Sequence, residues 1–127
     1  MKVLSLFDGI SCGMLALQRA GIPVECYDAF EIDKYAVTVS KRNFPVIVHH
    51  GNVYDGDFTQ FKGYDLLLGG SPCTYWSIAK KDREVDCNGE GFRLFKEYVR
   101  ALEESGCKYF LYENNYSVHQ LSLIHIS

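Results

Sequence analysis

The run Tyr64-Asp65-Leu66-Leu67-Leu68-Gly69-Gly70-Ser71-Pro72-Cys73-Thr74-Tyr75-Trp76-Ser77 decides how the rest of the chain is read. Its first part, Tyr64 to Leu68, is predicted to be a buried strand, a short apolar run closed by turn residues. The chain beyond it is polar and glycine-bearing, and no helix period returns until about Gly91. Cys73 is therefore expected just past a strand's carboxyl end, the edge at which open α/β sheets take their ligands. A lone cysteine more often packs than reacts, so its role depends on what the other strand ends carry.

Upstream, Val3 to Phe7 reads as a short strand entering Asp8-Gly9-Ile10-Ser11-Cys12-Gly13, after which Met14, Leu15, Leu17 and Ala20 recur at helical spacing until Gly21 and Pro23 end the helix. Strand, turn and helix in this order bring a ligand against backbone N–H groups at a helix N-terminus. The turn lacks the Gly-x-Gly-x-x-Gly spacing of a dinucleotide site, so by itself it is weak evidence. Glu25 to Glu31 is predicted as a second strand. Glu31 stands 22 residues after Gly9, close to the offset of roughly 20 at which a carboxylate holds ribose hydroxyls in such sheets; an exposed acid at a strand end is the equal alternative.

Asp33 suits an N-cap for a helix carrying Ala36, Val37 and Ser40 on one side and stopped by Pro45. Val46 to Val48 is predicted as a third strand, leading into His49-His50-Gly51-Asn52-Val53. Neighbouring histidines on a strand point to opposite faces and make a poor metal pair. Asp55 to Lys62 reads as an irregular or briefly helical connection. Beyond Gly91, Phe92, Phe95, Val99 and Leu102 mark a core-facing helix with Gly106 as its stop. Lys108 to Tyr112 is the fifth strand, ending at Glu113-Asn114-Asn115. Five strands alternating with helices define an α/β fold with a doubly wound, mostly parallel sheet.

Composition agrees with one soluble domain: 127 residues, 47% hydrophobic and 23% charged, with a formal net charge of −3. No apolar run approaches the roughly 20 residues of a membrane span, and Met1-Lys2-Val3-Leu4 leads straight into a strand without a cleavage signal, so a cytoplasmic setting is expected. The cysteines at 12, 26, 73, 87 and 107 show no zinc spacing and suggest reduced thiols; no metal is expected. Lys80, Lys81, Arg83, Arg93 and Arg100 form a basic group that suits either a solvated face or phosphate contacts.

Phe7-Asp8-Gly9, Glu31, Gly51-Asn52-Val53, Pro72-Cys73, Gly91-Phe92-Arg93-Leu94 and Glu113-Asn114-Asn115 occur in the order and at the spacings of the first six motifs of the DNA (cytosine-5) methyltransferases. Over residues 3 to about 118 the chain resembles that family, and its wording is closest to the animal de novo enzymes and to phage or bacterial relatives. The resemblance implies a Rossmann-like S-adenosylmethionine-dependent methyltransferase fold, here incomplete. It assigns the cofactor to Phe7, Asp8, Gly9, Ile10, Ser11 and Cys12 at its amino-acid end, to Glu31 and Ile32 at the ribose, and to Asn52 and Val53 at the adenine. Cys73 becomes the nucleophile and Glu113 the group that assists at ring N3. Ser71, Pro72 and Ser77 would line the pocket for a base flipped out of double-stranded DNA.

Some positions depart from the pattern. Asn52 stands where relatives often carry an acid, Asn115 where the motif usually has an apolar residue, and Ser11-Cys12 where many have glycines; Cys12 is read as a small structural residue. The last residues, 119–127, resemble the in-frame translation of a library adapter and are expected to be a non-native tail. Residues 1–118 are then the cofactor-binding part of a methyltransferase domain whose target-recognition region is absent, silent on its own. The alternatives are cytosine-5 methylation of tRNA, and S-adenosylmethionine binding without catalysis. Oligomeric state and target sequence are not legible.

Overall fold

The computed structural model describes residues 1–70 and 90–113. Five parallel strands form one sheet in the order β3-β2-β1-β4-β5: β1 (Lys2–Leu6), β2 (Cys26–Phe30), β3 (Val48–His49), β4 (Leu66–Gly69) and β5 (Tyr109–Tyr112). Three helices connect them: α1 (Cys12–Arg19), α2 (Lys34–Asn43) and α3 (Glu90–Ser105). Two short 3₁₀ turns, Val53–Asp55 and Phe58–Phe61, lie between β3 and β4. The fold class expected from the sequence is the one found.

Alternation along the central strands builds two cores. On one face Val3, Tyr27 and Ala29 pack with Met14 and Leu17 of α1 and with Ile47. On the other, Leu4, Leu6, Phe30 and Leu67 pack with Phe58 and Phe61 of the 3₁₀ turns and with Leu94, Tyr98 and Ala101 of α3. β1 is central, pairing β2 through Lys2↔Cys26 to Leu6↔Phe30 and β4 through Val3↔Leu66 to Leu6↔Gly69. Successive strands step outward from β1 in one direction, then in the other, so the sheet reverses between β1 and β4. That reversal leaves a crevice between the carboxyl ends of the two strands, the place where open sheets of this kind hold ligands.

Helix boundaries reflect local chemistry. Asp33 caps α2, its carboxylate accepting the Tyr35 and Ala36 N–H groups. Gly21 and Gly106, with φ of 73° and 64°, take up the left-handed turns that end α1 and α3. Four expectations shift, one being the fourth strand, which begins at Leu66 in place of Tyr64. Phe7 leaves the first strand and turns, with φ 56°. The third strand is Val48–His49 in place of Val46 to Val48, because the chain is still turning after Phe44, where the Ile47 N–H bonds the Phe44 carbonyl. In α3 Phe92 and Phe95 of the apolar stripe are buried as expected, together with Leu94, Tyr98 and Ala101, whereas Val99 and Leu102 of the stripe are half-buried.

Candidate functional site

The turn after β1 is held in an unusual shape. Phe7, Gly9 and Ser11 all have positive φ, at 56°, 61° and 71°, and for the two that are not glycine this conformation must be imposed by partners. Asp8 supplies them. Its Oδ1 accepts the Ser5 and Tyr27 hydroxyls, both at 2.7 Å, and its Oδ2 accepts the Ser11 hydroxyl, which also meets the buried Ser40. Burial, and then the neighbouring Asp8 charge, push the Tyr27 phenol far above its ordinary range, so it stays a neutral donor. The Asp8 side chain thus faces inward and shapes the turn. A Cβ built on Gly9 meets nothing within 4 Å, so the turn is open there.

Glu31 closes the turn from the end of β2. Its Oε1 accepts the Gly9 N–H at 2.7 Å and its Oε2 the Ile32 and Asp33 N–H groups at 3.0 Å. A carboxylate has about four acceptor positions, which leaves one free for an outside hydroxyl. Ile32, 70% exposed, stands beside it. At the end of β3, Asn52 uses its side-chain oxygen to accept the Tyr54 N–H at 2.9 Å. Its amide N–H₂ and the second acceptor position of that oxygen are left to face a ligand. Val53 is buried. Next to Asn52 opens a cavity of about 150 Å³ lined by Phe30, His50, Asp55 and Phe61 among others.

At the other side of the reversal, Glu113 comes directly after β5 and its N–H bonds the Gly69 carbonyl at 2.9 Å. Gly70 lies against it: a Cβ there would collide with the Glu113 carbonyl oxygen and stand 3.1 Å from Glu113 Oε2. Gly70 and Glu113 thus share one corner, three residues before Cys73 in the chain. Cys73, Ser71, Pro72 and Ser77 lie outside the described residues, as do Asn114, Asn115 and the tail 119–127.

The other sequence candidates separate. Arg100 does not stand ready for phosphate: Nε meets Glu97 at 2.6 Å, and the terminal nitrogens donate to the Gly56 and Val53 carbonyls at 2.9 and 3.0 Å. Burial opposes its charge, but Glu97 and Glu104 outweigh that and hold it more firmly protonated than usual. Lys80, Lys81 and Arg83 lie outside the described residues. The two histidines diverge as expected. His50 bonds Asp28 at 2.8 Å and stacks on Phe30, while both ring nitrogens of His49 are buried without a partner. Burial, then the Lys41 charge, lower the His49 pKa below its ordinary 6.5. The Asp28 network, which also takes the Tyr64 hydroxyl, was missed in the sequence. Its signal is an aspartate inside the apolar strand Cys26-Tyr27-Asp28-Ala29-Phe30, since a buried acid there needs partners. Among the described residues no group of three or more His, Cys, Asp or Glu is placed to hold a metal, and no helix is long and apolar enough to cross a membrane.

The donor set suits an extended ligand with a charged amino-acid end, a diol and a heterocycle. An open backbone turn, a carboxylate with one acceptor position left and an outward amide stand at the ends of β1, β2 and β3 in that order. S-adenosylmethionine has those three parts, and the residues present fit it. Fold and site together define an α/β protein with its ligand edge at the reversal of a parallel sheet.

Comparison with known proteins gives the family. Residues 1–122 match the model of the C-5 cytosine-specific DNA methylases, and the chain belongs to that family. It is 38% identical over 118 residues to the orphan methyltransferase M.SPRI of Bacillus phage SPR, covering 90% of this chain and 26% of that protein. It is 34% identical over 116 residues to the Type II methyltransferase M.HgiCII of Herpetosiphon aurantiacus, covering 89% and 25%. The chain thus spans about a quarter of the length of these curated relatives. Among solved structures, a DNMT2 variant of Spodoptera frugiperda superposes with a TM-score of 0.74 at 23% identity, over 98% of this chain and 38% of that one. S. pombe Dnmt2 gives 0.69 at 21%, over 94% and 38%; these two speak for the fold.

Proposed function

We propose that the chain is the cofactor-binding part, residues 1–118, of a methyltransferase that modifies C5 of cytosine in double-stranded DNA. The observation that carries this reading is the corner made by Gly70 and Glu113 across the sheet reversal from the turn at Phe7 to Cys12. It puts an acid beside the segment leading to Cys73, at the edge where the cofactor residues also stand. S-adenosylmethionine supplies the methyl group. Phe7 to Cys12 receive its amino-acid end, Glu31 and Ile32 its ribose, and Asn52 and Val53 its adenine.

Cytosine C5 is too weak a nucleophile to take a methyl group unaided. The Cys73 thiolate adds to C6, the electron pair of the C5–C6 double bond moves into the ring, and Glu113 assists at N3 as that charge develops. C5, now enamine-like, would take the methyl carbon as that carbon's bond to the sulfonium sulfur breaks, leaving S-adenosylhomocysteine as the neutral thioether. A base removes the C5 proton, the double bond reforms, and Cys73 leaves as thiolate. Within a duplex C6 is out of reach, so the cytosine must first be flipped out of the stack. Ser71, Pro72 and Ser77 are then the walls that meet it.

A duplex bearing 5-fluorocytosine tests the chemistry in the complete methyltransferase. Fluorine cannot leave as a cation, so with S-adenosylmethionine the protein is expected to remain covalently attached to DNA. A Cys73→Ala protein is expected to form no such adduct; an adduct that survives the substitution would overturn the mechanism.

A further inference from the structure

Arg100 is none of the residues assigned to the cofactor or the cytosine, yet its side chain ends on the segment that carries Asn52 and Val53. From α3 its Nη2 donates to the Val53 carbonyl at 3.0 Å and its Nη1 to the Gly56 carbonyl at 2.9 Å. These are the carbonyls of the first residue of the 3₁₀ turn Val53–Asp55 and of its C-cap, Gly56. The guanidinium is itself oriented, by Glu97 at 2.6 Å and Glu104 at 3.4 Å, and lies 4.5 Å over the Phe58 ring. Glu104 adds a bond of its own, accepting the Phe58 N–H at 3.1 Å. One stripe of α3, residues 97, 100 and 104, thus fastens both 3₁₀ turns.

We infer that Arg100 is a positioning residue for the cofactor's base, acting through the Val53 and Gly56 carbonyls to hold Asn52 and Val53 where that base must meet them. The inference rests on the proposed assignment of Asn52 and Val53 to the cofactor. Three features support it. The segment's regular structure is short: its turns are only three and four residues long, and the strand before it has two. A planar fork reaches two carbonyls at once, which a lysine ammonium on a flexible stem does poorly. The side chain that remains outward, the Asn52 amide, is oriented by the Tyr54 N–H inside the very turn that Arg100 closes.

The test compares the 127-residue chain with Arg100→Lys, Arg100→Met and Arg100→Ala, measuring S-adenosylmethionine binding by calorimetry and hydrogen exchange at the amides of residues 54–58. Arg100→Met is expected to bind about tenfold more weakly, the usual loss when charge-assisted hydrogen bonds are removed, and to exchange faster in that segment while β1 and β4 keep their protection. Arg100→Lys is expected to recover little. Added guanidinium ion is expected to restore much of the binding to Arg100→Ala, which general destabilisation would not allow. Binding by Arg100→Met equal to the parent chain would overturn the inference, as would exchange that rises evenly over the sheet. A parent chain that binds no S-adenosylmethionine would instead overturn the cofactor assignment, and the inference with it; the parent's own titration tells the two failures apart.

Discussion

Gly70 shows how much one missing side chain can matter. A methyl group there meets the Glu113 carbonyl oxygen and stands 3.1 Å from its carboxylate, and a backbone oxygen cannot step aside as a flexible side chain can. Gly70→Ala is therefore expected to push Glu113 out of its corner. In the complete methyltransferase, kcat is expected to fall by about a hundredfold, within the range for losing a positioned acid, while S-adenosylmethionine binding at β1 to β3 is kept. Steady-state methyl transfer with a parallel binding titration checks this; a Gly70→Ala enzyme with parental kcat would separate Glu113 from the chemistry. His49 is a second single-residue case. Its ring nitrogens are buried without partners, and burial, then Lys41, lower its pKa, His50 adding in the same direction and Asp8 opposing. The unfolded chain then binds a proton that the native chain resists, so stability is full above the ordinary pKa of 6.5 and is lost as the pH falls below it. His49→Leu is expected to flatten that acid limb, and urea unfolding of both proteins at about pH 7 and about pH 5, on either side of the ordinary histidine pKa, reads the difference.

At the level of elements, α3 couples β4 and β5, the two strands on one side of the crevice. The Tyr98 hydroxyl reaches the Leu67 carbonyl of β4 and the Leu111 carbonyl of β5, both at 3.1 Å, and its ring leaves room only for a glycine at 69. Tyr98→Phe keeps the ring and is expected to cost about 1 kcal/mol of stability; a loss far above that in chemical denaturation would mean the phenol does more than bridge two strands. The same helix marks how far the sequence could be read. Its period was legible from Phe92, Phe95, Val99 and Leu102. Phe92 and Phe95 are buried as that period implies, but so are Tyr98 and Ala101, because α3 is covered over a wide arc: Leu94, Tyr98 and Ala101 meet the main core, and Phe92 and Phe95 meet Tyr112 and Val99. A stripe of strongly apolar letters finds one edge of such an arc and passes over a tyrosine and an alanine at its centre. Strand ends were legible for a different reason. Glycine, proline and aspartate punctuate them, so Asp8, Glu31, Asn52 and Glu113 fell at carboxyl ends as expected, whereas the inward turn of the Asp8 carboxylate needed Ser5, Ser11 and Tyr27, which only folding brings together.

The molecule as a whole divides its labour at the sheet reversal. The turn after β1 and the ends of β2 and β3 carry the residues assigned to the cofactor, and the ends of β4 and β5 carry those assigned to the cytosine. The first group is complete within the described residues and is braced from behind by α1, α2 and α3. Reaching a base inside a duplex needs more: surfaces that grip the phosphate backbone, displace the partner base and read the flanking sequence. A net charge of −3 and a basic residue, Arg100, tied to Glu97 and Glu104 offer little for the first of these. The relatives it matches carry about three times as much chain again. The 127 residues are accordingly expected to bind S-adenosylmethionine yet transfer no methyl group to duplex DNA. Calorimetry and a labelled-methyl assay on the same preparation decide it. Binding without transfer would place the duplex-handling surfaces outside this stretch; measurable transfer would mean that the edge of this one sheet suffices to open a duplex and methylate it.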